Sequence, residues 1–236
     1  RSGLRRTGAY HHALMGYPAQ RRRVGAGRNP ALPPRFLDCR AILRYGGRAM
    51  DAAPLRNPWL NSLFLDHALL RIPWRNWGVV ESGRLYRSNH PTPWQLRQAV
   101  RRHGIRTVIN LRGNRPECGS DWLGRAEAAR LGLTQIDVAL ESRGAPSWER
   151  IQNLAEVYGR LDEPALIHCK SGADRTGLGA GIWMLLQGRS VDEALAQLTL
   201  RHGHIAAAKT GILDAFFMEY RAFLQKHGPK PFLDWV

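Results

Sequence analysis

In the run His168-Cys169-Lys170-Ser171-Gly172-Ala173-Asp174-Arg175-Thr176-Gly177, a cysteine and an arginine stand six positions apart. That spacing can close a loop of backbone N–H groups around one tetrahedral oxyanion, with a thiolate beneath it and a guanidinium beside it. Arg175 offers a planar fork that matches two phosphate oxygens. Gly172 permits a positive φ or a close approach of backbone to ligand. The flanks suit the same purpose. Ala165-Leu166-Ile167-His168 is a short apolar run after the breaker pair Glu163-Pro164, and it reads as a buried strand. Thr176 to Gln187 is rich in Ala, Leu and Gly and reads as a buried helix. Strand, tight loop and helix place the loop amides at a helix N-terminus, where they favour negative charge. The same field favours a cysteine as thiolate, the nucleophilic form.

The string His-Cys-x-x-Gly-x-x-Arg-Thr-Gly resembles the phosphate loop of the cysteine-dependent protein tyrosine phosphatase superfamily. Upstream, Gly83-Arg84-Leu85-Tyr86-Arg87-Ser88, Pro91 and Gly104-Ile105-Arg106-Thr107-Val108-Ile109-Asn110-Leu111-Arg112 are similar to the opening of the bacterial dual-specificity and atypical phosphatases. The resemblance covers roughly residues 83–220. It implies in-line attack of Cys169 on phosphorus and a phosphocysteine intermediate. It implies equatorial oxygens held by Arg175 and by the amides of Lys170, Ser171, Gly172, Ala173, Asp174 and Arg175. Thr176 would hydrogen-bond the sulfur as it leaves in the second step, and His168 would orient the loop. This chemistry needs no cofactor and no metal, and no His/Cys/Asp cluster has metal-ligand spacing.

Expelling an alkoxide requires a proton donor. The superfamily pattern implies an Asp on the loop after the strand that precedes the catalytic one. The matching loop, Ala139-Leu140-Glu141-Ser142-Arg143-Gly144-Ala145-Pro146, has no Asp. Two candidates for the acid remain. Asp174 lies inside the phosphate loop, a placement that resembles the myotubularin lipid phosphatases and some bacterial phosphatases of broad specificity. Glu141 lies on the variable loop. Lys170 follows the nucleophile and is expected to project toward the pocket mouth; a lysine there resembles phosphoinositide and inositol-polyphosphate phosphatases. His202, His204, Lys209 and Thr210 are expected to rim the same edge, and Arg112, Arg115 and Arg143 to converge on it from other strand-end loops.

The remaining pattern supplies a scaffold. Thr92-Pro93-Trp94-Gln95 starts a helix with a capping box, ending near His103-Gly104. Thr107 to Leu111 is a continuous β-branched run, hence a buried parallel strand. Ser120 or Asp121 caps a helix that runs to Gly132, Leu133–Val138 is a strand, and Ser147–Leu161 is a helix. Ser190 caps another, and Gly211–Lys226 forms the last. Strands alternating with helices predict an α/β fold: an open, mainly parallel sheet flanked by helices on both faces, like the protein tyrosine phosphatases. Ligands in such sheets bind beyond the carboxyl ends of the strands, where Cys169 sits.

Four stretches are expected: 1–50 as a disordered Arg-rich arm, 51–80 as an amphipathic lead-in, 81–228 as the phosphatase domain and 229–236 as a tail. Residues 1–49 carry eleven arginines against Asp38, whereas the rest holds 24 Lys plus Arg against 18 acids. The overall charge of +16 is therefore concentrated in the first segment. An arm for acidic lipid or nucleic acid and a solvated tail, even non-native sequence ahead of Met50, are the readings open there; nucleic acid is not an expected partner of the domain. Residues 55–80 mix Trp59, Leu60, Phe64, Leu65, Leu69, Trp74 and Trp77 with Arg71 and Arg75. That stripe packs on its own domain or a twin subunit, or else lies on a membrane surface. Cys39, Cys118 and Cys169 have unrelated spacings, which argues against a disulfide framework and for a reducing, cytoplasmic compartment. No apolar run reaches the ~18 residues of a spanning helix. The function expected is phosphomonoester hydrolysis on a phosphoprotein or a small anionic phosphate. The alternatives are a phospholipid or inositol-phosphate phosphatase of the same fold, and a non-catalytic phosphate-binding adaptor.

Overall fold

The computed structural model describes residues 57–71 and 73–236. The expected arm 1–50, with Cys39, lies outside the described residues. The five strands are β1 (Gly78–Glu81), β2 (Leu85–Ser88), β3 (Thr107–Asn110), β4 (Thr134–Asp137) and β5 (Ala165–His168). They form one sheet in the order β1-β2-β5-β3-β4. β1 runs antiparallel to β2 at one edge, and the other four strands are parallel. This is the mainly parallel α/β sheet that the alternating pattern predicted.

Short β-rich runs become central strands because both faces of the sheet are covered. Successive side chains point to opposite faces, so each run divides its apolar residues between two cores. Leu85, Ile109, Ala165 and Ile167 enter the larger core. Tyr86, Val108 and Leu166 enter the smaller one. The larger core is closed by α5 (Trp148–Gly159), α6 (Asp174–Leu186), α7 (Val191–Leu195) and α8 (Ile212–His227). The smaller is closed by α3 (Pro93–His103) and α4 (Gly119–Arg130). Two further short helices, α1 (Pro58–Leu60) and α2 (Ala68–Arg71), flank a π-helical turn over Asn61–Leu65. α6 is buried along nearly its whole length, which explains its apolar, small-residue composition.

Local signals set several boundaries. Thr92 and Gln95 form the expected capping box on α3, and Gly104 closes the helix in the left-handed region. Ser190 and Glu193 do the same at the start of α7. The start of α4 differs from expectation. Its cap is Cys118, which makes no side-chain capping bond, while Ser120 and Asp121 lie inside the helix. Both are recruited by tertiary partners: Ser120 Oγ meets Ser62 Oγ at 2.8 Å, and Asp121 accepts bonds from Asn110 Nδ2 and the Arg115 N–H. α6 begins at Asp174 rather than Thr176, so the helix takes in the second half of the phosphate loop. α8 is not the last helix. Residues 229–236 carry α9 (Phe232–Trp235), whose Phe232 is buried and packs edge-on against Tyr220 and Phe216.

In register, Ser88 and Asn110 both pair with His168, and Asn110 pairs with Asp137. The carboxyl ends of the four parallel strands therefore form a common edge. The segments that leave it at residues 89, 111, 138 and 169 are the ones from which a site can be built.

The lead-in stretch does not behave as one unit. Trp77 stacks on Tyr86 and His103, whereas Trp59, Leu60, Phe64, Leu65, Leu69 and Trp74 are exposed. No helix among the described residues is long and apolar enough to cross a membrane.

Candidate active site

β5 ends at His168 and delivers Cys169 to the sheet edge, where the residue is only 2% exposed. The chain then turns through Lys170, Ser171 and Gly172 and enters α6. The Gly172 N–H donates to Cys169 Sγ at 3.3 Å. Gly172 has φ +78°, and a Cβ there would lie 2.7 Å from the Asn89 nitrogen. Only glycine satisfies both conditions. Ala173, the cap of α6, makes no side-chain capping bond, so the first amides of the helix are available to an anion. Arg175 Nε and Thr176 Oγ1 are buried and have no partner among the described residues.

The loop's outward-facing carbonyls are held by residues that sequence reasoning did not single out. Arg87 on β2 is wholly buried, and its Nη2 donates to the Gly172 carbonyl at 2.8 Å. Its Nη1 bonds the carbonyl and Oε1 of Gln197. Burial pushes the Arg87 guanidinium down to about 10, against the charge of Cys169, which raises it; the group still carries its proton at neutral pH. Asn76, in the left-handed region at φ 48°, donates to the carbonyls of Ser171 (2.9 Å) and His202 (2.7 Å). The His90 N–H donates to the Lys170 carbonyl, and the Leu111 N–H to that of His168. His168 Nδ1 lies 3.4 Å from the Cys169 carbonyl, and its ring meets His90 edge-on, in keeping with an orienting part.

Two charge clusters adjoin the loop. In the first, Asp66 receives Arg112 through both carboxylate oxygens, at 3.1 and 3.3 Å. Lys170 Nζ lies 3.5 Å from the same Asp66 Oδ1. Asn110 orders this corner by accepting the Arg112 N–H and donating to Asp121. In the second, His204 is 1% exposed in its side chain and sits between two carboxylates. Its Nδ1 is 2.8 Å from Asp174 Oδ1, and its Nε2 is 2.6 Å from Asp214 Oδ2.

Several expectations change at this point. His204 does not rim the pocket; it is buried behind Asp174. His202 binds Asn76 Oδ1 through Nδ1 at 3.0 Å, and burial, with the nearby charges of Arg87 and Arg201, lowers its pKa to about 4. Lys209 is exposed, and Thr210 Oγ1 bonds the Ile205 carbonyl. Of the three arginines expected to converge, Arg112 alone pairs beside the loop. Arg115 faces Glu117, and Arg143 is exposed. Glu141 is salt-bridged to Arg150 on α5, while its Oε2 is buried without a hydrogen-bond partner. Asp66 and Asn76, both ahead of residue 81, belong to the site although the sequence placed them in the lead-in. Neither residue carries a local signal, because an isolated Asp or Asn looks like any surface residue.

A five-stranded, mainly parallel sheet with a Cys-x5-Arg loop between its central strand and a buried helix defines a cysteine-dependent phosphatase. A family model described as "DSP-PTPase phosphatase fused to NAD+ Kinase" matches residues 79–213, and the chain belongs to that family. It is accordingly a phosphoric monoester hydrolase whose substrate bears phosphate. The inositol diphosphatase DSP1 of Oryza sativa subsp. japonica is 32% identical over 166 residues, which cover 69% of this chain and 72% of that protein. The fold is shared with Pseudomonas aeruginosa TpbA (TM-score 0.50, 21% identity, 62% of this chain and 86% of that one). It is also shared with the core catalytic domain of the PP-IP phosphatase SIW14 from Saccharomyces cerevisiae (TM-score 0.50, 19% identity, 64% and 91%).

Two measurements check this account of the loop's support. Arg87→Met should weaken inhibition by orthovanadate about 10–100-fold, the equivalent of one or two lost charge-assisted bonds, while the far-UV spectrum is retained. An unchanged inhibition constant would remove Arg87 from the loop's support. The second concerns acid. His202 has its pKa depressed in the folded state, so its contribution is complete above its ordinary value of about 6.5 and is lost as pH falls toward 4. Tm should drop across that window, and the drop should be shallower in His202→Gln.

Proposed function

We propose that this chain removes phosphate from a small, multiply phosphorylated polyol of the inositol-diphosphate class, through a phosphocysteine. The observation that carries the substrate class is the meeting, at Asp66, of Arg112 with Lys170, the residue next after the nucleophile. Two cations beside a phosphate loop suit a ligand with several phosphates more than they suit a single phosphorylated side chain. The similarity to an inositol diphosphatase over most of that protein's length supports the same reading.

In this mechanism the substrate's terminal phosphate sits over Cys169, held by the loop amides of residues 170–175 and by the Arg175 fork. Sγ attacks phosphorus in line, the bond to the leaving oxygen breaks, and its electron pair departs with that oxygen. The loop amides and Arg175 stabilise the charge spread over the equatorial oxygens. Water then attacks the phosphocysteine, the electron pair of the P–S bond returns to sulfur, and Thr176 Oγ1 stabilises the thiolate. Asp174 is the carboxyl that exchanges the proton. With an alkyl phosphate it protonates the alkoxide in the first step. With a diphosphate the leaving group is itself a phosphate, whose second pKa is about 6, and the first step needs no acid. In the second step every substrate needs a base for the attacking water. Glu141, engaged with Arg150, is left a structural part.

Purified protein should release phosphate from inositol diphosphates faster than from phosphopeptides or monophosphorylated lipids, and Cys169→Ser should abolish release from all of them. A preference for phosphopeptides would move the substrate back to phosphoproteins, and activity surviving in Cys169→Ser would overturn the phosphocysteine. The acid is tested separately through kcat/KM, which reports steps up to phosphocysteine formation. Asp174→Asn should lower kcat/KM for alkyl phosphates about 10²–10⁴-fold and for diphosphates or activated aryl phosphates far less. Equal, small effects on both would transfer the role to Glu141.

A further inference from the structure

His204 is buried in the segment that links the 3₁₀ turn Leu200–His202 to a second one at Lys209–Gly211. Each of its ring nitrogens meets a carboxylate oxygen: Asp174 from α6 at 2.8 Å and Asp214 from α8 at 2.6 Å. A neutral imidazole has one N–H and one bare nitrogen, so it can donate to only one carboxylate. The bare nitrogen would then face an oxygen lone pair in a buried place. An imidazolium satisfies both contacts, and the two carboxylates offset the desolvation of its charge.

We propose that His204 is the positioning residue of the catalytic carboxyl: held by Asp214 and protonated on both nitrogens, it orients Asp174 to accept the proton of the attacking water. The inference rests on the reading of Asp174 given above and adds a residue pair to it. In the step concerned, the water oxygen bonds to phosphorus, the P–S bond breaks with its electron pair going to Sγ, and the water proton passes to Asp174. Oδ1 is engaged by His204 Nδ1–H, which leaves Oδ2 for the incoming proton. Without His204 the carboxylate would lose the hydrogen bond at Oδ1 and the charge opposite it.

The electrostatics agree. Burial opposes protonation of His204, but the hydrogen bonds and charges of Asp214 and Asp174 outweigh it and raise the pKa above the usual histidine value. Asp174 and Asp214 are the charged groups that face the ring from the two helices packed against it. On its own segment, His202 is turned to Asn76, and Arg201 and Lys209 are exposed. The sign follows. The imidazolium is present below its raised pKa and lost above it, so hydrolysis of the phosphocysteine should decline as pH rises through that value. Removing the charge of Asp214 lowers the pKa and moves the decline to lower pH.

The test is stopped-flow turnover of p-nitrophenyl phosphate by the full chain, which separates the burst of phosphocysteine formation from steady-state hydrolysis. Asp214→Asn keeps an acceptor for Nε2–H but loses the charge. It should shift the alkaline limb of kcat down by about one pH unit or more and leave the burst rate close to wild type. His204→Gln should lower kcat about 10–100-fold with the burst retained. An alkaline limb that stays in place in Asp214→Asn overturns the proposal, and so does a burst that slows in proportion to kcat. Should His204→Gln fail to fold, Asp214→Asn decides alone. A wild-type protein with no burst and no turnover would instead overturn the phosphocysteine reading itself, a failure distinct from an unmoved limb.

Discussion

A loop that collects N–H groups around an anion must turn its carbonyls the other way, into the protein, where each needs a donor. Here the main donor is a buried guanidinium. Arg87 rises from β2, the strand next to the catalytic one, and binds the Gly172 carbonyl. A buried charge is costly unless it is fully paired. Arg87 offsets part of that cost through bonds from its two terminal nitrogens to Gln197 and the loop, while its Nε is buried without a partner, and so it ties together β2, the loop and the segment after α7. Gly172 completes the seam, since it lies against the backbone of Ser88 and Asn89 with no room for a side chain. The shape of the phosphate site therefore depends on the pairing of β2 with β5. The loop's own residues are not enough.

The two charge clusters beside the loop are built in opposite senses. Around Asp66, two cations share one anion, leaving an excess of positive charge beside Cys169. Around His204, two anions share one buried imidazole, which places a carboxylate at the start of α6 in a set orientation. Both draw on elements remote from the loop in sequence: Asp66 from the lead-in stretch, Asp214 from α8.

Much of the fold was legible because its signals are local. The capping boxes at Thr92 and Ser190 span only four residues each, and the central strands are short apolar runs between breakers. Errors arose where a local signal met a tertiary competitor. Ser120 and Asp121 are good caps by type, yet a partner serine and the amide groups near β3 claimed them, and α4 started earlier. The tail 229–236 holds few residues, yet the larger core takes in Phe232, so a helix forms there.

The sequence alone determined the Cys-x5-Arg loop and the strand–loop–helix that carries it, because six residues of spacing and their immediate flanks specify that geometry. It also determined the parallel α/β class, through runs that are apolar on both faces. Tertiary structure decided the rest of the site. Arg87 reaches the loop across 85 positions and Asn76 across 95, while His204 reaches Asp174 across 30. In the sequence these look like ordinary polar residues of strands and loops. A buried polar group is defined by the partner that satisfies it, and which partner arrives depends on how the sheet and helices pack.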